Sequence, residues 1–282
     1  MRLIDLIKKA DQEKIALGHF NFCNFEILKG IALASKEMNI PVLVGISEGE
    51  RSYLGRESAR NLVRSVAMET GAELYLSADH TKTLEEAKKV IDLGYDTIVA
   101  DGSSLSFDEN IKFTKAVVLY ALEKNQDIVV EGEIGVIGQS SEILDSLPDD
   151  LSKLTDPSEA KTFIDESGIS VFSPALGNIH GLLRNQANPN LDISRIKSIK
   201  EKTGVFLTLH GASGVKEDDI HQAVKSGINI VHFNSDLRVA YKDALKEAVL
   251  KPEIAPYKYL DLVVLKVKEV VKLKLNLLIN NK

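Results

Sequence analysis

The chain is poor in the features that would make several protein classes easy to recognise. It has one cysteine, Cys23, in 282 residues. One thiol can build neither an internal disulfide framework nor a thiolate metal centre, which leaves imidazole and carboxylate as the metal ligands on offer. Such cysteine usage fits a reducing compartment, and a cytoplasmic protein is expected. Positive charge is in deficit, with 35 Lys plus Arg against 41 Asp plus Glu and a formal net charge of −6. A basic nucleic-acid-binding surface is therefore not expected. The N-terminal MRLIDLIKKADQEK interrupts its apolar residues with charges after a few positions, so it reads as neither a signal peptide nor a membrane span. No GxGxxG fingerprint follows the first apolar run, where FNFCNFE stands instead, and no GxxxxGK[ST] sequence occurs.

What remains has ordinary globular composition, 44% hydrophobic and 27% charged, sufficient for a full core without staples. From residue 15 onward, brief β-branched runs alternate with longer segments of helical period. The candidate strands are Ile15–Phe22, Pro41–Ser47, Leu74–Asp79, Thr97–Asp101, Ile128–Gly135, Val171–Gly177, Phe206–Gly211 and Ile230–Asn234. Their mostly apolar character suits strands buried on both faces. Between them lie amphipathic segments such as Phe25–Met38, Leu84–Leu93, Phe107–Glu123 and Glu217–Ser226, the second and fourth followed by Gly94 and Gly227 as helix-ending residues. Repeated βα units of this number close into an α/β TIM (β/α)8 barrel, a fold that occupies ~250 residues as one domain. The expected organisation is a barrel over residues 1–250 and a C-terminal helical extension over 251–282. Within that extension, Tyr259–Leu278 is apolar with interspersed lysines and reads as a helix docked on the barrel or on another subunit. Val136–Asp156 is the one long irregular stretch, a length that inside a compact domain usually marks function.

Active sites in such barrels form at the C-terminal ends of the strands. There the sequence places Ala78-Asp79-His80, Asp101-Gly102-Ser103, Glu131 and Glu133, Asn178-Ile179-His180-Gly181, His210-Gly211-Ala212-Ser213-Gly214 and Asn234-Ser235-Asp236. Three of six histidines, His80, His180 and His210, thus meet at one mouth. Three imidazoles with an open fourth position form a catalytic zinc arrangement, in which the metal serves as Lewis acid or water activator. Asp79 reads as a general acid/base beside it, provided the strand ends there, because neighbours on a regular strand face opposite ways. Glu131 and Glu133 share a face, and inside a barrel they need a cation or metal; Asp101 could join them as a ligand. HGASGV and NSD supply small residues and backbone N–H groups where barrels hold phosphate, which suggests a phosphorylated substrate. His19, His221 and His232 carry no assigned role.

At these residues the sequence resembles the class II, metal-dependent ketose-bisphosphate aldolases. FNFCNFE is similar to the family's FNxxNxE, SEGE to its SxG region, and SADHTKTLEEAKKVIDLGYDTIVADGSSLSFDENIKFT to its LDH…GFxSVMxDGSxLPFEENI block. VEGEIG resembles VEAELG, TDPSEAKTFIDESGISVFSPALGNIHG the TDPxEA…AxGxxHG block, and HGASGV…NSDLRVA the HGGSGI…NTDLRxA block. The likeness runs to about Ala244. It implies zinc on His80, His180 and His210, with Asp79 exchanging a proton with the substrate's C4 hydroxyl. Asp101 and Glu133 fall at an alternate position for a second divalent metal, and many members also use a monovalent cation. Gly181, Gly211, Ser213, Asn234 and Ser235 fall where the family holds the dihydroxyacetone-phosphate end, with Asn21 and Ser47 near the substrate. The implied reaction is reversible cleavage of fructose 1,6-bisphosphate, or of tagatose 1,6-bisphosphate, by a homodimer or homotetramer. A zinc-dependent phosphoester hydrolase is the reading from another class, and a barrel kept only for assembly is disfavoured by the triad. Three departures stand out: Ala212 in place of a glycine, Arg184 where Lys is common, and GQSSE in place of GGxED, which makes Glu142 the candidate loop acid.

Overall fold

A computed structural model describes residues 1–124, 127–135, 143–145, 154–184 and 188–279. In chain order the elements begin α1 (Leu3–Glu13), β1 (Leu17–Asn21), α2 (Phe25–Met38), β2 (Val42–Ile46), α3 (Glu48–Leu54), α4 (Arg56–Thr70) and β3 (Leu74–Thr81). They continue with α5 (Leu84–Asp92), β4 (Thr97–Ala100), α6 (Phe107–Lys124), β5 (Val129–Ile134), β6 (Ile143–Leu144), α7 (Pro157–Ser167), β7 (Val171–Pro174) and β8 (Leu182–Leu183). The last are α8 (Ile193–Thr203), β9 (Phe206–Leu209), α9 (Glu217–Lys225), β10 (Ile228–Phe233), α10 (Ser235–Val249) and α11 (Pro256–Ile279).

Eight strands close in the order β1-β10-β9-β7-β5-β4-β3-β2, every neighbouring pair parallel. Each expected strand is present, and closure excludes the open doubly wound sheet. The short strands β6 and β8 pair with each other outside the barrel, so Ile143 and Leu144 of the irregular stretch form a small ribbon with Leu182 and Leu183.

Strand alternation divides the apolar residues into two cores. Phe20, Val44, Leu76, Ile98, Val130, Phe172, Leu207 and Val231 point outward into the main core against the helices. Leu17, Leu43, Tyr75, Val129, Val171 and Ile230 point inward at the N-terminal end, where Leu3, Leu6, Ile7 and Ala10 of α1 pack onto them. The amphipathic N-terminus is thus a plug for the barrel floor, each fully buried aliphatic side chain contributing ~1.5–3 kcal/mol. Two residues further along several strands, the inner layer turns polar, with His19, Ser77, Glu131, Ser173, Thr208 and His232 all buried. The site stands on this layer.

Gly45 of β2 shows how tightly the polar layer is packed: a Cβ there would lie 2.1 Å from Cε1 of His19. Gly45→Ala is expected to lower stability by ~1–3 kcal/mol through overpacking, read as a lower urea midpoint at unchanged m value.

Helix α11 lies across α2 and α10. It buries Val263, Val267, Val271, Leu275 and Leu278, while Lys268 and Lys272 pair with Glu37 of α2. The lysines among its apolar residues therefore serve a helix docked on the barrel. Among the described residues no helix is long and apolar enough to cross a membrane.

Candidate functional site

The site begins with an irregularity in β3. This strand does not end at Asp79, as the sequence reading required, but runs to Thr81. Its register against β4 shifts between Ala78 and Thr81, and His80 has φ +44°. A left-handed residue inside a bulge lets consecutive side chains reach the same mouth, at a backbone cost of ~1–3 kcal/mol. Buried Arg51 of α3 braces the turn. Its Nη1 donates to the carbonyls of Asp79 (3.0 Å) and Ile46 (2.5 Å), and its Nη2 donates to Thr81 Oγ1 (3.1 Å).

His80, His180 and His210 come together. Their ring centroids lie 5.0, 4.9 and 5.8 Å apart, and the planes cross at 72°, 84° and 82°. The ligand atoms fall within 4.8 Å of one another. Lone pairs on imidazole nitrogens lie in the ring plane, so mutually perpendicular rings can aim three of them at one point. Two ring nitrogens, His180 Nε2 and His210 Nδ1, are buried without a hydrogen-bond partner among the described residues. Orphaned donors of this kind are what a metal ion would satisfy, and the set fits a divalent ion of zinc type.

The surrounding carboxylates orient these ligands. Glu131 Oε1 lies 2.7 Å from His210 Nε2, and its other oxygen accepts from Thr208 Oγ1 at 2.9 Å. A proton on His210 Nε2 facing Glu131 leaves Nδ1 free to ligate. Asp101 Oδ2 lies 3.0 Å from His80 Nδ1, and its Oδ1 accepts from Ser103 N and Oγ at 3.1 and 2.6 Å. Glu133 Oε2 stands 3.6 Å from His80 Nδ1. His80, Asp101 and Glu133 therefore form a second group with metal-ligating spacing.

Asp79 is buried, its Oδ2 held by Asn21 Nδ2 at 2.8 Å, while its Oδ1 has no hydrogen bond among the described residues. Burial disfavours its charge, yet His80, His19, His210 and the Asn21 amide outweigh this and hold the carboxyl well below the usual carboxylate range. Burial likewise opposes a proton on His80, but Asp79, Asp101 and Glu133 raise it to about 10. Burial pushes Glu133 up to about 7 despite the neighbouring imidazoles, and burial with the other imidazoles takes His180 down to about 3. Burial opposes a proton on His210 as well, but Glu131 and Glu133 raise it above the ordinary imidazole value; without a metal the acids thus favour protonated imidazole in the cluster, and a divalent ion would bind with loss of protons.

Two histidines to which the sequence assigns no role, His19 and His232, also stand here. His232 stacks on His210 at 4.0 Å with planes 22° apart, and on His19 at 3.5 Å with planes 5° apart. Its Nδ1 is 3.6 Å from Asp79 Oδ1. Near-parallel rings cannot aim in-plane lone pairs at one ion, so the stack supports the ligands from below rather than forming another metal group. The signal was available in the period of two: His19 shares a face with Asn21, and His232 with Asn234.

On the far side of the mouth, Asn188 joins two loops, donating to the carbonyls of Gly181 (3.0 Å) and Ser213 (2.8 Å). Gly211 turns between them at φ +61°, and a Cβ there would lie 2.2 Å from the Ile179 carbonyl oxygen. Ser213 Oγ accepts from the amides of Asn234 and Asp236, both at 3.3 Å, at the start of α10. Gly181, Gly211, Ser213, Asn234 and Ser235 are therefore assembled around a helix N-terminus, as an anion site requires. Buried Ala212 leaves that arrangement in place. Ser47 and Asn21 lie across the mouth, both donating to Glu50. Arg184 is exposed on the β6–β8 ribbon with its Nε on Asp145 at 2.7 Å, and Glu142 lies outside the described residues.

A parallel barrel whose mouth joins perpendicular imidazoles to a glycine-bearing loop pair at a helix N-terminus has the architecture of a metal-dependent barrel enzyme. Comparison with known proteins narrows that class. The family model "Fructose-bisphosphate aldolase class-II" matches residues 1–282, and the chain belongs to this family of lyases. It is 31% identical over 299 residues to a fructose-bisphosphate aldolase of Helicobacter pylori, covering 97% of this chain and 96% of that one. It is also 31% identical over 278 residues to one of Staphylococcus aureus, covering 96% and 94%. Among solved structures, the YdjI aldolase of Escherichia coli K12 superposes with a TM-score of 0.83 at 26% identity, covering 98% of this chain and 96% of the other.

Proposed function

We propose that this protein is a cytoplasmic, zinc-dependent class II aldolase that reversibly cleaves fructose 1,6-bisphosphate into dihydroxyacetone phosphate and glyceraldehyde 3-phosphate. It would work as a homodimer or homotetramer. The observation that carries the reading is the convergence of His80, His180 and His210, with two ring nitrogens unpartnered among the described residues, beside an ionised Asp79 whose Oδ1 has no hydrogen bond among them. When bound, zinc supplies a Lewis acid that draws electron density from the ketone next to the bond being cleaved.

The chain's own groups supply the rest. Asp79 removes the proton of the C4 hydroxyl as the C3–C4 bond breaks, and returns it to the aldehyde oxygen in the synthetic direction. Asn21 occupies Oδ2 of Asp79, so the proton is taken at Oδ1, the oxygen that faces the histidines. Gly181, Gly211, Ser213, Asn234 and Ser235 hold the phosphate of the dihydroxyacetone half at the start of α10, and Arg184 stands by on the ribbon. Glu131 keeps His210 in the tautomer that ligates. Asp101 and Glu133, with His80, offer a second divalent position, and a monovalent cation would accompany the phosphate. Glu142 is the candidate for proton exchange at the three-carbon fragment.

A coupled assay that reads triose phosphate tests this, comparing fructose and tagatose 1,6-bisphosphates with and without added zinc. Zinc-dependent cleavage with fructose preferred is the expected result. Preference for tagatose would reassign the C4 configuration, and release of inorganic phosphate without triose phosphate would make the protein a hydrolase.

A further inference from the structure

On the β1–β2 side of the mouth, beyond Asp79, lies a cleft of about 380 Å³ lined by Cys23, Ile27, Gly49, Tyr53 and Tyr241, with Ser47, Glu50 and Arg238 at its polar end. Asn21 links it to the site, its Nδ2 lying 2.8 Å from Asp79 Oδ2 and 3.2 Å from Glu50 Oε2. For a substrate whose C4 hydroxyl meets Asp79, this cleft, one Asn21 side chain away, is the space open to the carbons beyond C4.

The donors there already have an anion. Glu50 Oε2 accepts from Ser47 N (2.8 Å), Ser47 Oγ (2.9 Å) and Asn21 Nδ2, while its Oε1 accepts from Arg238 Nη2 at 2.7 Å. Glu50 is 7% exposed and closes a capping box on α3. The N–H and hydroxyl groups that would greet a phosphate are thus taken by a carboxylate fixed in the protein. Arg238, the cation bordering the cleft, is neutralised by the same group. A second phosphate entering here would meet a buried negative charge, with Asp79 just behind it, in exchange for donors it must first displace.

We propose that this cleft selects the uncharged, hydroxylated tail of a ketose 1-phosphate, so that a phosphate on the far end contributes little to recognition. The inference rests on the aldolase reading and concerns the tail alone. Hydroxyl groups can share the Arg238, Tyr53 and Tyr241 polar atoms without displacing Glu50, and the apolar lining suits the carbon chain.

The test compares fructose 1-phosphate with fructose 1,6-bisphosphate on the zinc-loaded protein. A site built to bind a group rejects the analogue lacking it by ~10⁴. Here kcat/KM for the two is expected to agree within about tenfold, and a larger preference for the bisphosphate overturns the proposal. Glu50→Ala releases Ser47 and Arg238, and Glu50→Gln removes the charge that pairs Arg238 while its amide oxygen can still accept from Ser47, so each should raise the bisphosphate-to-monophosphate ratio, the alanine variant by about tenfold or more. Because both substrates share the step at Asp79, the ratio is insensitive to any general loss of turnover in the variants. An unchanged ratio in a folded variant would show that Glu50 does not set the preference. Failure to cleave either substrate overturns the aldolase reading itself and this inference with it.

Discussion

EDTA treatment of the purified protein is expected to abolish aldol cleavage completely, and zinc or cobalt to restore it. The chemistry must draw electrons from the bond being broken, and there are two common ways to do so: a metal on the ketone oxygen or a Schiff base with a lysine amine. Here the convergent groups are three imidazoles and their orienting carboxylates, and no step in the proposed chemistry uses a lysine. Loss of the metal should therefore remove the electron sink altogether rather than slow a side path. The measurement is triose phosphate release before chelation, after it, and after re-addition of each metal, alongside metal content by elemental analysis. Cleavage that survives thorough metal removal, with borohydride trapping substrate on the protein, would overturn the metal mechanism.

The barrel was legible because its strands are brief, apolar and separated by helical periods, a pattern that depends on local sequence alone. The triad was legible for a related reason. His180 and His210 precede Gly181 and Gly211, and His80 follows the apolar run Leu74–Asp79, so in sequence all three mark strand ends, which a closed parallel barrel gathers at one mouth. What could not be read was anything requiring closure or a departure from regular geometry. Alternation forbade Asp79 and His80 from sharing a face, and only the bulge, with His80 at φ +44° and Arg51 bracing it, makes them neighbours. His19 and His232 belong to strands far apart in sequence that become adjacent when β1 pairs with β10, so each looked like an isolated core histidine. Glu50 sits on a surface-like SEGE segment, and its burial depends on Arg238, which arrives 188 residues later. In each case the missing information was a long-range contact between polar groups, for which hydrophobic periodicity has no signal.

The same separation of local from long-range roles underlies the expected behaviour of Asp79→Ala and His210→Ala. Asp79 touches the triad but is not one of its ligands: its Oδ2 is tied to Asn21 and its Oδ1 is 3.9 Å from His80 Nε2. Asp79→Ala is therefore expected to keep zinc near the wild-type content while lowering kcat by about 10²–10⁴, the usual range for loss of a general acid/base. KM should change little, because the proposed phosphate site lies across the mouth at α10. His210 differs in kind. It is one of the three proposed ligands, and it also faces the Glu131–Thr208 hydrogen bond and stacks on His232. His210→Ala should lose zinc and activity together, because two imidazoles form a much weaker site and the buried Glu131 carboxylate is left without its partner. Metal content and single-substrate kinetics on the two variants separate the roles. Full turnover in Asp79→Ala, or zinc loss from it as complete as from His210→Ala, would show that the carboxylate serves the metal site rather than the proton.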